Sequence, residues 1–458
     1  MFVARPLCPP SARPSFEQLE DRCVPATLIY AGVNNGLWSD PTNWLEDTGV
    51  ATLDPPGPND TVIFDGNVSL PKETWTGGVT EVASVIIDGP WDKNIQITTA
   101  QHHSSSLRVN TSFTMNAADA GLTSGATGGN SNLFVSSHGA SFTWTGGTIA
   151  DVNVNIGYGG DSDVTGTIGG EVILSDSLLI NGGTLSADFA TVKVPPDVIS
   201  EIRNYGTFSA NCFSFRDTIN NTHRDVGLIA NYGSATIKGD SRIDSDFENY
   251  GHVRLQSDPN LGAPRFWVSY RQFSGQTELY NDAWVHMSGP GNHMHIHNGK
   301  LIGNGTIVGN VTLGYEGADN YASTATIDPG WTTGYPESYT IGTITITHSF
   351  ALHDATNAMR IDGTAGGSFD KVVVTGYADL KGNLTVNPSK DYKPANGKTV
   401  QFLTASEVKN DFETKTLTYT GYWSHADNPD RQHYWKFRKT GTGYEIYVDL
   451  VPTQPPPP

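Results

Sequence analysis

No run in this sequence approaches the roughly 20 consecutive apolar residues of a helical membrane span. No amphipathic segment keeps a 3.6-residue period for more than about a dozen residues, so an α-helical domain is excluded as the main architecture. Positive charge is scarce: 28 Lys and Arg stand against 47 Asp and Glu, a net charge of −19. Phosphate backbones repel such a surface, and nucleic acid is not an expected partner. Cysteine is nearly absent. Cys8 and Cys23 fall near the N-terminus, leaving Cys212 as a lone thiol and no internal disulfide in the body of the chain.

Glycine is abundant instead, with 50 residues, and Thr, Asn and Ser are common. Aromatics make up 10%, enough for a packed core and too many for a disordered chain. Between residues 298 and 350, apolar residues alternate with Thr, Asn or Gly in short runs, as in Leu301-Ile-Gly303-Asn-Gly305-Thr-Ile307 and Ile344-Thr-Ile346. This is the pattern of short strands joined by tight turns, each burying one face. Three close copies stand upstream: Asn204-Tyr205-Gly206, Asn231-Tyr232-Gly233 and Asn249-Tyr250-Gly251, with later ones centred on Gly275 and Gly299. Gly-to-Gly spacings of 27, 18, 24 and 24 fit one coil of a solenoid. Residues two and four beyond each Gly are small or apolar (Phe208 and Ala210, Ala235 and Ile237, Val253 and Leu255), which predicts an inward stack. The Gly is expected to supply a positive φ at the corner. The Asn is expected to bond its own backbone or to stack on its equivalent one rung away.

The fold expected is all-β: a single-stranded, right-handed parallel β-helix with a cap at each end. Residues 1–26 read as an export or sorting leader, 27–74 as an N-terminal capping module and 75–415 as the parallel β-helix. Residues 416–451 read as a closing hairpin and 452–458 as a Pro-rich tail.

Residues 1–26 lack the apolar core of an ordinary signal peptide. However, Leu19-Glu20-Asp21-Arg22 followed by Pro25-Ala26 resembles the N-terminal sorting signal of many planctomycete surface and extracellular proteins. The likeness implies export, with the mature chain beginning near Thr27. Trp38 and Trp44, ahead of Asn59-Asp60-Thr-Val62-Ile63-Phe64, resemble the opening module of secreted bacterial β-solenoid proteins. The two tryptophans read either as a plug on the open end of the solenoid or as a carbohydrate-stacking platform. Residues 303–412 resemble the passenger-like region of autotransporter-type repeat proteins, through Ile327-Asp-Pro-Gly330, Phe369-Asp370-Lys-Val372-Val373-Val374-Thr-Gly376 and Leu380-Lys-Gly382-Asn-Leu384. Together these likenesses point to a pectin-lyase-like solenoid.

Two groups carry candidate chemistry. His293, His295 and His297 alternate along one strand, with His286 just upstream, and imidazoles so spaced are able to bind Zn²⁺. The competing reading is a polar outer face opposite Met294 and Ile296. Resemblance to β-helix polysaccharide lyases and hydrolases calls for carboxylates and a base on one outer face. Asp244, Asp246, His252 and Arg254 are the best local set. Gly159-Gly160-Asp161-Ser-Asp163-Val164 resembles part of a calcium-binding nonapeptide repeat, but no tandem copy follows. No cofactor is required by these patterns; Ca²⁺ and Zn²⁺ are the ions they would accept.

The leading functional expectation is a secreted or cell-surface structural and adhesive protein, non-catalytic, meeting extracellular polysaccharide or other surface proteins. The alternatives are a polysaccharide-active β-helix enzyme and a metal-binding adhesin.

Overall fold

The computed structural model describes residues 25–32, 36–65, 74–76, 79–97, 105–124, 131–157, 163–195, 198–217, 227–289, 293–315, 323–330, 341–361, 369–388, 397–418, 423–425 and 428–452. Within them the chain winds as a parallel β-solenoid whose coils each contribute a strand to three faces. In one coil, Ser200–Asn204 lies on face 1, Thr207–Asn211 on face 2 and Ser214–Asp217 on face 3. The next coil lays Gly227–Asn231, Ser234–Lys238 and Arg242–Ile243 beside them, parallel and in register. More than ten complete coils follow this order, from the one opened by Val79–Ile87 to the one closed by Thr399–Thr404. Parallel strands pair at about 4.8 Å, so that distance is also the rise of the rod per coil.

Alternation drives the winding. Inward positions are apolar and buried while the residues between them stay half-exposed, as in Thr61–Phe64 and His252–Gln256. The predicted inward stack is present: Phe208 pairs with Ala235 and Ala235 with Val253, all buried. Each fully buried large apolar side chain of this kind is worth about 1.5–3 kcal/mol.

The corner glycines follow a different rule from the one expected. Gly275 and Gly299 have positive φ (69° and 84°), but Gly206, Gly233 and Gly251 do not. What those three corners demand is close approach. A Cβ at Gly206 would lie 2.0 Å from the carbonyl oxygen of Gly183, and one at Gly233 would lie 2.1 Å from that of Gly206. Some long strands turn a corner without glycine. Gln276–Met287 bends at Asn281 and Asp282, and Phe350–Ile361 at Asp354. Asn and Asp are among the few L residues that tolerate this left-handed conformation.

At the N-terminal end, Thr27–Tyr30 pairs parallel with Thr61–Phe64 and antiparallel with Trp44–Glu46. Between them a short 3₁₀ turn, Pro41–Asn43, is capped by Asp40, whose carboxylate accepts from the Thr42 amide at 3.0 Å. Trp38 and Trp44 are buried here, with ring centroids 4.9 Å apart, and pack with Tyr30, Phe64 and Trp91. The Trp44 indole N–H donates to the Trp38 carbonyl at 2.9 Å. At the other end, Asn428–Thr440 and Gly443–Pro452 form an antiparallel pair, and the second of these strands also pairs antiparallel with Thr399–Thr404. No helix among the described residues is long and apolar enough to cross a membrane.

Candidate functional site

The corner between faces 1 and 2 carries two ladders built from one repeated step. In Asn204-Tyr205, Asn231-Tyr232 and Asn249-Tyr250 the Asn ends a face 1 strand pointing inward and the next residue sits on the outer corner. Inside, the amide of Asn181 donates to Asn204 at 2.8 Å, Asn204 to Asn231 at 2.7 Å, and Asn231 to Asn249 at 2.9 Å. Gln272 takes the next rung, accepting from Asn249 at 3.3 Å. Each Asn also donates to a backbone carbonyl at the start of face 2, such as Asn204 to Ser234 at 3.0 Å. From Asn204 onward the ladder thereby meets the requirement that buried polar groups be paired, while at its first rung the Asn181 Oδ1 accepts no bond among the described residues.

Outside, six rings stack along the rod: Tyr205, Tyr232, Tyr250, Phe273, His297 and Tyr315. Successive centroids lie 4.8, 4.8, 5.2, 5.1 and 4.7 Å apart, with interplanar angles of 7° to 28°. Tyr250 donates its hydroxyl to Glu248 at 3.0 Å, and burial together with that carboxylate pushes its phenol up to about 12. Burial, reinforced by Arg271, lowers the His297 imidazole below its usual range.

This corner redefines the histidine cluster. His293 and His295 point outward on face 1, alternating with buried Met294 and Ile296. Their rings meet edge to face at 5.1 Å. His297 has left the strand and is stacked between Phe273 and Tyr315. His286 is on face 3, paired with Arg265 of the preceding coil and tilted against Trp284. The His295 and His297 rings stack at 5.9 Å, so three imidazoles are successive neighbours while His286 stands apart on face 3. Among the described residues no group of three or more His, Cys, Asp or Glu is arranged to hold a metal. Of the nonapeptide-like stretch, residues 159–162 lie outside the described residues, and exposed Asp163 meets His138 at 3.1 Å.

The carboxylate set separates as well. Asp244 is buried between faces 3 and 1 and gripped by Arg242, at 2.6 Å from Nη2 and 2.9 Å from Nε. Asp246, on face 1, accepts from Ser269 and pairs with Arg271 at 3.1 Å. His252 and Arg254 are on face 2, where both reach Glu278 of the next coil: Arg254 Nε is 3.0 Å and His252 Nε2 is 3.4 Å from its Oε2. Glu278 is fully buried although it occupies an outward column, and Arg254 also lies over the Tyr280 ring at 4.4 Å. Reading the sequence by spacing missed Glu278. It sits third after Gly275, as Arg254 sits third after Gly251, and aligning the columns would have found it.

A second charged cluster also escaped notice. Arg360 bridges Asp328 at 3.1 Å and buried Asp370 at 3.0 Å. Asp370 further accepts from the amides of Gly342 at 3.1 Å and Arg360 at 2.8 Å. Burial pushes the Asp370 carboxyl up to about 7 against the pull of Arg360 and these amides.

The sorting-signal residues Leu19, Glu20, Asp21 and Arg22 lie outside the described residues. Pro25 and Ala26 precede the first strand, and the Ala26 amide donates to Asp60 at 2.9 Å. Compared with family models and with curated proteins, the chain matches none.

Proposed function

We propose that this protein is a secreted or cell-surface structural and adhesive solenoid, non-catalytic, working in the cell envelope or extracellular matrix. Its partners in this reading are extracellular polysaccharide or other surface proteins. The observation that carries it is how the outward charges are engaged. Asp246 pairs with Arg271 and Glu278 with Arg254, each on an adjacent coil, tying coil to coil, and buried Asp244 is held by Arg242 of its own coil, so the carboxylates do not face one another across a groove. Export rests on the match of Leu19, Glu20, Asp21, Arg22, Pro25 and Ala26 to a surface-sorting leader. Replacing Leu19, Asp21 and Arg22 together by Ala should retain the protein inside its source cell. Surface labelling of the triple variant at the wild-type level would refute the export.

One place favours a second reading, a polysaccharide-cleaving enzyme: the His252–Glu278–Arg254 group on face 2, where an imidazole and a carboxylate share one site. Release of reducing ends from a neutral or acidic glycan, abolished by Glu278→Gln in a folded variant, would establish it over the structural reading.

A further inference from the structure

Among the described residues the aromatic stack ends in an open face at Tyr205. Tyr232, Tyr250, Phe273 and His297 each have a ring on both sides, so only their edges face solvent. Tyr205 is the first of the series. Tyr232 covers one of its faces, and among the described residues no ring covers the other. The Asn181↔Asn204 pairing places Gly182 at the corresponding corner of the preceding coil, so that corner contributes no side chain to the slot beside Tyr205. Tyr205 is accordingly 52% exposed, more than Tyr232 at 42%.

The surroundings of that slot are mixed in a specific way. On the face 1 side stands half-buried Ile180, paired with Arg203, whose guanidinium forms two bonds to Glu201 at 2.7 and 2.8 Å. On the face 2 side stands exposed Thr184. An apolar ring face, an apolar side chain, a planar ion pair with no net charge and a hydroxyl thus border one gap about a ring's thickness deep. From Thr184 the same face extends as a strip of hydroxyls. In six successive coils, from the pair Ser112 and Thr114 to the pair Ser234 and Thr236, the first two outward positions of face 2 carry hydroxyls, and a charged residue stands at the third in two of them, Asp188 and Lys238.

We propose that the open face of Tyr205 is a stacking platform for one pyranose ring of a neutral polysaccharide, whose chain continues along the hydroxyl strip of face 2. A sugar ring has an apolar C–H face for the tyrosine and a rim of hydroxyls for Glu201, Arg203 and Thr184. The coil repeat of about 4.8 Å is close to the length of one sugar residue in an extended β-linked chain. Short Ser and Thr side chains on a rigid sheet lose little rotamer entropy on binding, which favours many weak contacts over a few strong ones. An acidic glycan is disfavoured, because the two hydroxyl columns carry no cation to offset the net charge of −19 and Lys238 beside them is paired with Asp258 at 3.8 Å. The proposal names a partner class for the adhesive reading but holds wherever the protein resides.

The test is calorimetric titration of the full chain with neutral hexasaccharides of β-linked glucose, mannose and xylose, with hexagalacturonate as the acidic counterpart. At least one neutral hexamer should bind saturably and the acidic one at least tenfold more weakly. Tyr205→Ala should weaken the neutral hexamer about tenfold, the value of one stacked ring, whereas Tyr205→Phe should stay within about threefold. Thr184→Val, which keeps the side-chain shape, should weaken it a few-fold. Hydrogen exchange on each variant separates lost binding from lost structure. The proposal is overturned if no neutral hexamer binds, if the acidic hexamer binds as well, or if Tyr205→Ala remains folded and binds like the wild type. A protein that binds a neutral glycan yet is never found at the cell surface would remove the export reading alone.

Discussion

Asn231 is the place to test whether the inner ladder holds the rod together. Its amide donates to Asn249 Oδ1 at 2.9 Å, to the His252 carbonyl at 3.1 Å and to the Gly233 carbonyl at 3.2 Å, and it accepts from Asn204 at 2.7 Å. The residue is 1% exposed, so water cannot replace these partners. Asn231→Ala deletes all four bonds. Its neighbours keep other partners: Asn204 still reaches the Ser234 and Gly206 carbonyls, and Asn249 Oδ1 still accepts from the Gly251 amide at 3.0 Å. A buried group left short costs about 1–3 kcal/mol, so a loss of about 3 kcal/mol is expected for the variant as a whole. Asn231→Asp is harsher, because it aims a carboxylate at the Asn249 and His252 oxygens. Its cost should exceed that of Ala at pH 7 and shrink as acid neutralises the new group.

In a solenoid each coil touches only its neighbours, so the damage should be local. Hydrogen exchange should show protection lost in the coils of Asn204, Asn231 and Asn249 and retained toward Trp44 and Phe402. The Asn204→Ala, Asn231→Ala cycle should give a coupling of about 0.5–3 kcal/mol. An Ala variant within about 0.5 kcal/mol of wild type, or protection lost evenly along the rod, would refute the nearest-neighbour account.

The inward stack gives a second test: Val253→Asp forfeits about 1.5–3 kcal/mol of burial and inserts an unpaired charge between Ala235 and Thr277, so local unfolding by hydrogen exchange is expected. Arg254→Ala, one residue away and outward, should cost about 1–3 kcal/mol by weakening the hold on buried Glu278, and a loss as large as that of Val253→Asp would mean the alternation is misread. Trp44→Ala should destabilise the N-terminal end by about 3–5 kcal/mol in thermal unfolding, whereas an unchanged melt would contradict its place in the buried aromatic cluster. Asp370 predicts a pH effect: with its folded value raised to about 7, its contribution is full below the ordinary carboxyl range and is lost as pH rises through 7. A carboxyl resonance titrating near 7, and a flatter pH–stability curve in Asp370→Asn, are the expected results; a resonance titrating near 4 would exclude this.

Much of the winding was legible because it depends on a period of two that repeats. Phe208, Ala235 and Val253 were assignable to one inward column by counting from the glycine, and the asparagine ladder by its position before the corner. What spacing could not give was the partner across coils. His297 looks like the third member of a histidine strand until the register sets it beside Phe273 and Tyr315. Asp246 and His252 look like neighbours, but a corner puts them on different faces, where Arg271 and Glu278 from the following coil engage them. The same limit explains the glycine error. Positive φ is a local property, whereas the approach of Gly206 to the carbonyl of Gly183 spans 23 residues of sequence and one coil of space.

The two corner ladders share one geometric cause, and their difference in burial assigns them different work. Successive Asn-Tyr steps present one side chain inward and the next outward, so one coil repeat stacks amides inside and rings outside. The amides are buried and have no solvent alternative, so replacing one leaves neighbouring polar groups short of partners. The rings near the open end are 42% and 52% exposed, so truncating one mostly returns surface to water that was already close by. A position on the outside of a corner can therefore change with little effect on the fold, while the asparagine beside it cannot. The stack begins at Tyr205 although the asparagine ladder begins one coil earlier, at Asn181, where the outer residue is Gly182. That offset of one coil leaves an aromatic face open on a corner whose interior is already bonded from Asn181 through Asn249, and the fold itself gives no reason for it.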